Sequence, residues 1–272
     1  MNQNQLAIAL EKLYRHFNKR ELIAPDPLEW VHHYSDQANQ EIAALIASSL
    51  AYGNVTQILI SLKKIFSLLG ESPHQFILEN KGATIRKKLN GFKHRWHTGD
   101  DIAGLLASLG KIYKTHGTLL AFFLEFYKPN QSDLNQSLEG FITAIKQNSP
   151  IPIRENLLPN PALKSACKRL HMFLRWMVRY DAVDTGLWRV IPASKLIMPI
   201  DTHIHQISLA IGLTNRKIAN LETAIEITNK FKKISSEDPV RYDFCLARLG
   251  INRSTSVKLI RSEFLKKMAS LT

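Results

Sequence analysis

Apolar residues recur along this chain at intervals of three and four, with almost no sustained alternation, so the pattern predicts helices throughout. A first amphipathic helix is expected over 6–17. Ala24-Pro25-Asp26-Pro27 then interrupts it, because proline disfavours helical backbone in the residue before it. A short helix follows over 28–34, and Asp36 starts a longer one through 51. Residues 41–51 of that helix are apolar on nearly every side, which marks it as a central core element. Tyr52-Gly53-Asn54 makes a turn, and 55–69 resumes the helical pattern. Further helices are expected over 102–116, begun by Thr98 or Asp100, and over 119–127 and 133–147.

The stretch 149–161 holds Pro150, Pro152, Pro159 and Pro161 and reads as a linker over 150–160. With Asn160 as cap and Pro161 in the first turn, the next helix should run to about Arg179. Leu163, Cys167, Leu170, Leu174 and Met177 form its apolar face; Lys164, Lys168, His171, Arg175 and Arg179 form a basic one. Asp201 then reads as the N-cap of a helix that Gly212 ends, with Ile204, Ile207 and Ile211 as its buried stripe. The expected fold is therefore all-α, with a helical lobe over 28–149, a second over 161–272 and the segment 1–23 packing on the second. No internal repeat or low-complexity tract appears.

Charge adds a partner to this picture. The chain of 272 residues carries 36 Lys and Arg against 23 Asp and Glu, a net charge of +13, and such an excess favours a polyanion. Cys167 and Cys245 are the only cysteines and lie in apolar helical contexts, as core thiols in a reducing cytoplasm do. The polar start, Met1 to Gln5, has no signal-peptide character, and no apolar run is long enough for a bilayer. A cytoplasmic, nucleoid-associated monomer without a membrane partner is expected. Asn90-Gly91-Phe92-Lys93-His94-Arg95-Trp96-His97 mixes basic and aromatic side chains in one turn, suited either to gripping a phosphate backbone or to packing Trp96.

The run Ile200-Asp201-Thr202-His203 resembles the V-D-T-H-x-x-R signature of the helix-hairpin-helix DNA glycosylases, the endonuclease III superfamily; Gln206 stands where the pattern has Arg. That likeness implies two helical lobes flanking a basic cleft and gives catalysis to Asp201, with Thr202 and His203 beside the DNA backbone. Most of the superfamily also carries a glycine-rich hairpin shortly before the catalytic Asp. Residues 183–192 contain Gly186 as their only glycine, so the arrangement looks more like the archaeal 8-oxoguanine DNA glycosylase branch, whose lysine lies on an earlier helix. The stretch 168–175 resembles that lysine helix, with Lys168 at the nucleophile position and Arg175 at the second basic one.

The stretch 240–250 resembles the branch's late helix. Asp243 matches its base-contacting Asp, while Ala247 replaces an aromatic. The turn at Tyr52 and Asn54 is similar to the one that meets the minor groove beside the extruded base. Lys164, Arg179 and Arg95 would add phosphate contacts. Many superfamily members hold a four-iron cluster, which needs four thiolates; two cysteines cannot supply them, so no cofactor and no metal are expected. The phrases at 168–179, 184–188 and 238–244 also resemble a bacterial family related to these enzymes, a likeness covering nearly the whole chain that implies a fold and no particular activity.

The chemistry implied is removal of a damaged base, such as an oxidised guanine, from double-stranded DNA. A neutral lysine amine attacks C1′ of a nucleotide turned out of the stack, a carboxylate stabilises the developing positive sugar, and β-elimination from the Schiff base is the accompanying AP-lyase step. Two other classes fit parts of the sequence. Asp201-x-His203-x-His205 would suit a metal-dependent hydrolase if it lay on a strand. A helical nucleic-acid-binding protein without catalysis would share the charge and the helices.

Overall fold

The computed structural model describes residues 2–249 and 257–270, side chains of residues 257, 258 and 269 aside. Among these the regular structure is helical, apart from one two-stranded ladder and short 3₁₀ turns. The chain divides into two units, one formed by Ala24–Leu163 and the other by Met1–Ile23 together with Lys164–Thr272. In chain order, α1 (Gln3–Phe17) belongs to the discontinuous unit. The continuous unit holds α2 (Gln37–Leu50), α3 (Val55–Leu69), α4 (Pro73–Glu79), α5 (Gly82–Lys88), the hairpin β1 (Lys93–His94) and β2 (His97–Thr98), α6 (Gly99–His116), α7 (Leu119–Leu124) and α8 (Asn135–Asn148). The discontinuous unit continues with α9 (Lys168–Val178), α10 (Thr202–Ala210), α11 (Leu221–Lys232), α12 (Asp243–Arg248) and α13 (Val257–Ala269).

Short polar side chains start several of these helices by accepting from backbone N–H groups that lack a helical partner. Asp36 caps α2 through Asn39 N, Asn54 caps α3 through Gln57 N, and Thr98 with Asp101 forms a reciprocal box at the start of α6. The stretch 28–34 forms a 3₁₀ helix, Pro27–His33, rather than an α-helix. In α2 the residues from Glu41 to Leu50 are all buried, as their apolar run demands, with one charged exception. Glu41 is fully buried, and its carboxylate accepts from Tyr113 Oη at 2.7 Å, Leu119 N at 2.8 Å and Leu120 N at 3.2 Å. It thereby satisfies the orphan donors at the start of α7. Glu41→Leu should destabilise the protein by about 3 kcal/mol, because those donors would stay buried without an acceptor; an unchanged urea midpoint would refute this role.

The prolines of 150–160 do not make a free linker. Leu157 and Leu158 are fully buried, and Arg154 binds the Asp101 carboxylate through Nη2 at 2.6 Å. This strand of chain runs against α6 at Gly104, where a Cβ would lie 2.6 Å from the Ile151 carbonyl oxygen, so the packing needs glycine. The boundary falls after Leu163 instead. Residue 163 closes a short 3₁₀ turn, Pro161–Leu163, whose Asn160 side chain accepts from Ala162 N, and Leu163 is 68% exposed rather than on a buried face.

The helix expected over 161–179 begins only at Lys168. Lys164 and Cys167 have φ of 57° and 40°, in the left-handed region that breaks helical continuity. Among the described residues α9 is the centre of its unit: Leu170, Phe173, Leu174, Trp176 and Met177 are fully buried, and Phe173 meets Trp188 edge-on with centroids 5.3 Å apart. Packed in the same unit, α1 lies against α12 and α13, and its Glu11 accepts from Arg241 Nη2 at 3.0 Å. Both cysteines are buried, as expected of core thiols. Among the described residues no helix is long and apolar enough to cross a membrane.

Candidate functional site

Asp201 precedes α10 in extended backbone, φ −114° and ψ −174°, and caps it with a single oxygen. Its Oδ1 accepts from both His203 N and Ile204 N at 2.9 Å. The second oxygen, Oδ2, takes no part in the cap, and Lys168 Nζ lies 3.7 Å from it. Lys168 is the first residue of α9, so the amine and the carboxylate stand at the N-termini of two different helices brought together from positions 33 apart (201 − 168). A cation at a helix start opposes the helix dipole, and the neighbouring carboxylate offsets that. Both side chains keep solvent contact, 29% for Lys168 and 45% for Asp201, so a ligand can reach the pair.

Behind this pair lies a buried charge network that changes the reading of the basic face. Arg175 is 4% exposed; it binds Asp184 through Nη2 at 3.1 Å and Asp243 through Nη1 at 2.5 Å. Arg179 is equally buried and reaches Asp181 at 2.8 Å, Asp238 at 2.8 Å and Asp184. Neither presents its guanidinium to solvent. The expectation of Arg179 as a backbone contact, and of Arg175 as a direct base contact, is corrected: the helix turns this side inward because carboxylates from three later segments neutralise it. Arg175 instead positions Asp243. Burial pushes the Asp243 carboxyl above its ordinary range, opposed by the charges of Arg175 and Lys168. That places Asp243 in the field of the Lys168–Asp201 pair. Ala247, one turn later on α12, is exposed. Gly250, the end of that expected stretch, lies outside the described residues.

The remaining candidates divide between the units. Thr202 opens α10 as an exposed residue, and His203 is half-buried beside it. His205 of the same helix is buried, with its Nε2 2.8 Å from the Arg216 carbonyl oxygen. Lys164 is exposed, and its carbonyl accepts from Leu221 N at 3.2 Å. Among the described residues no group of three or more His, Cys, Asp or Glu is arranged to hold a metal, and on a helix Asp201, His203 and His205 point apart.

In the continuous unit Asn54 is the α3 cap, and Tyr52 is half-buried with its hydroxyl donating to the His94 carbonyl at 3.1 Å. Arg95 is exposed at the tip of the β1–β2 hairpin. The sequence reading took Arg95 and its basic–aromatic turn as candidates, but not the carboxylate partners Asp181, Asp184 and Asp238. A signal for the carboxylates existed: Arg175 between Leu174 and Trp176, and Arg179 after Met177 and Val178, lie in a run with little solvated face to occupy.

An all-helical protein with an accessible lysine–carboxylate pair at two facing helix starts is the class that fold and site define. The family model described as "Protein of unknown function (DUF2400)" matches residues 26–252, and the chain belongs to that family. No curated protein and no solved structure matches it.

Proposed function

We propose that this protein is a DNA glycosylase of base-excision repair with an associated AP-lyase step, acting on double-stranded DNA that carries a damaged base. The observation that carries this reading is the approach of Lys168 Nζ to within 3.7 Å of Asp201 Oδ2, with the other carboxylate oxygen tied to the helix. In the proposed reaction the amine of Lys168 attacks C1′ of an extruded nucleotide and gives up a proton as the new bond forms. The glycosidic bond breaks, its electron pair leaves with the base, and the base takes up a proton. Asp201 stabilises the positive charge on the sugar as that bond opens. Ring opening gives a Schiff base to Lys168, and loss of the 3′ phosphate by β-elimination cleaves the strand.

Asp243 is as buried as the Arg175 that binds it, so the choice of lesion, such as an oxidised guanine, is left to groups at the exposed Lys168–Asp201 pair. The scheme uses only the chain's own side chains. A panel of duplexes, each with one damaged base, tests it by base release and strand scission; no release from any lesion would overturn it. Duplex affinity should also fall steeply with salt, by a factor on the order of 10³ between 50 and 200 mM if about six phosphates are contacted. Salt-independent binding would contradict a phosphate-based interface.

A further inference from the structure

The tip of the β1–β2 hairpin carries a built aromatic surface that the proposed chemistry does not use. Trp96 is 58% exposed, and its ring is parallel to that of Tyr52, 3° between planes with centroids 6.0 Å apart. Tyr52 is fixed from behind by its hydrogen bond to the His94 carbonyl and by edge contacts with the rings of His94 and His97 at 4.8 and 5.6 Å. The Arg95 guanidinium lies over the Trp96 ring, 4.5 Å from its centroid, and 5.8 Å from that of Tyr52.

This arrangement is maintained at a cost in backbone freedom. Arg95 has φ of 55°, which a side chain other than glycine seldom adopts. Gly53, at φ 96°, makes the room: a Cβ there would stand 2.8 Å from Arg95 Nη1 and 3.2 Å from its Cδ. At the base of the same hairpin opens a groove of about 720 Å³ lined by Arg86, Lys87 and Lys93, with Asp100 as its one carboxylate. Asp100 is already paired with Arg86 at 2.8 Å, which leaves the exposed Lys87 and Lys93 to face solvent.

We infer that Trp96, backed by Tyr52 and flanked by Arg95, is a stacking platform for an unpaired nucleobase, with the Lys87–Lys93 groove taking the adjoining phosphates. A flat, cationic, solvent-facing aromatic surface beside a basic groove matches a base and its backbone: every base has a π face, and stacking on an aromatic side chain is tolerant of sequence. Here Tyr52 is the support and Trp96 the contacting ring, which moves the base contact from the turn before α3 to the hairpin. The inference rests on the nucleic-acid part of the proposed function but not on catalysis at Lys168.

The test uses the full chain and two DNA probes, a duplex with one unpaired 2-aminopurine and the same duplex fully paired. The protein should quench the unpaired probe and bind it more tightly than the paired one. Trp96→Ala should weaken that binding about 10-fold or more, as expected for loss of one stacked base, and should abolish the quenching. Trp96→Phe should restore most of both, and Gly53→Ala, which displaces Arg95, should lie between. Because Trp96 is solvent-facing, Trp96→Ala should keep the wild-type thermal midpoint. Binding of both duplexes with equal affinity and no quenching would overturn the platform while leaving the nucleic-acid reading intact. Unchanged affinity and quenching in Trp96→Ala would also overturn it, which is the outcome if the tip serves a protein partner. Failure of the wild-type chain to bind either duplex would sink both.

Discussion

Lys168→Gln should abolish the covalent adduct that borohydride traps between this protein and a lesion-bearing duplex, while changing duplex affinity by less than about 10-fold. The glutamine amide has no nucleophilic amine, so the Schiff base cannot form. One cation among the 36 Lys and Arg of the chain contributes little to phosphate binding. Asp201→Asn should separate stability from rate. Asparagine caps a helix about as well as aspartate, so the thermal midpoint should hold, but the charge facing the sugar is lost. Removing one preorganised electrostatic group of this kind costs about 10² to 10³ in rate. Single-turnover base release on the two variants, with trapping gels beside it, is the measurement. Full trapping by Lys168→Gln would discard the assignment, and Lys164 would be substituted next.

Arg179→Met should be the most destabilising single change, by about 3–5 kcal/mol, because it removes the cation on which Asp181, Asp184 and Asp238 converge and leaves carboxylates buried without their partner. Chemical denaturation at pH 7 measures it, and a loss below about 1 kcal/mol would show that the network is not fully desolvated.

The same network gives a pH dependence. Burial alone would raise the Asp181 carboxyl, but Arg179 and the backbone N–H groups of Asp184 and Val183 hold it below its ordinary value of 3.8. In the continuous unit Asp101 is likewise held down: burial is outweighed by Arg154 and by the N–H groups of Thr98 and Arg154. A depressed carboxylate gives stability that is present above the unfolded-state value and lost as pH falls through the folded one. Both units should therefore lose stability as the pH drops below about 3.8, and Arg179→Met should flatten that acid limb in its own unit. Coincident acid limbs in wild type and variant would contradict the assignment to Asp181.

How far the sequence could be read depends on whether a signal is local. The helix 55–69 agrees at both ends with α3, because Asn54 and Gly70 mark the termini chemically and the apolar period between them is unbroken. Asp201 as a cap was legible for the same reason: a short carboxylate before an amphipathic run accepts from its own next N–H groups. The start of α9 was not, because Asn160-Pro161 is a sound helix-start signal that the left-handed backbone at Lys164 and Cys167 overrides. The hairpin was missed because each of its strands is only two residues long, too short for an alternation to register.

The sequence by itself determined that the chain is helical, where several of its helices begin, and that Asp201 sits at a helix start, since these follow from spacing and from hydrogen bonds within a few residues. It also determined the excess of positive charge. Only the tertiary structure decided which of those charges are available. Arg175 and Arg179 look identical in spacing to a solvated stripe, and they are buried because Asp181, Asp184, Asp238 and Asp243 arrive from later segments to pair with them. The meeting of Lys168 with Asp201, and of Trp96 with Tyr52, is of the same kind. Contacts between side chains 33 and 44 positions apart (201 − 168 and 96 − 52) depend on how helices pack, and packing is set by the summed fit of many apolar side chains rather than by any spacing within one segment.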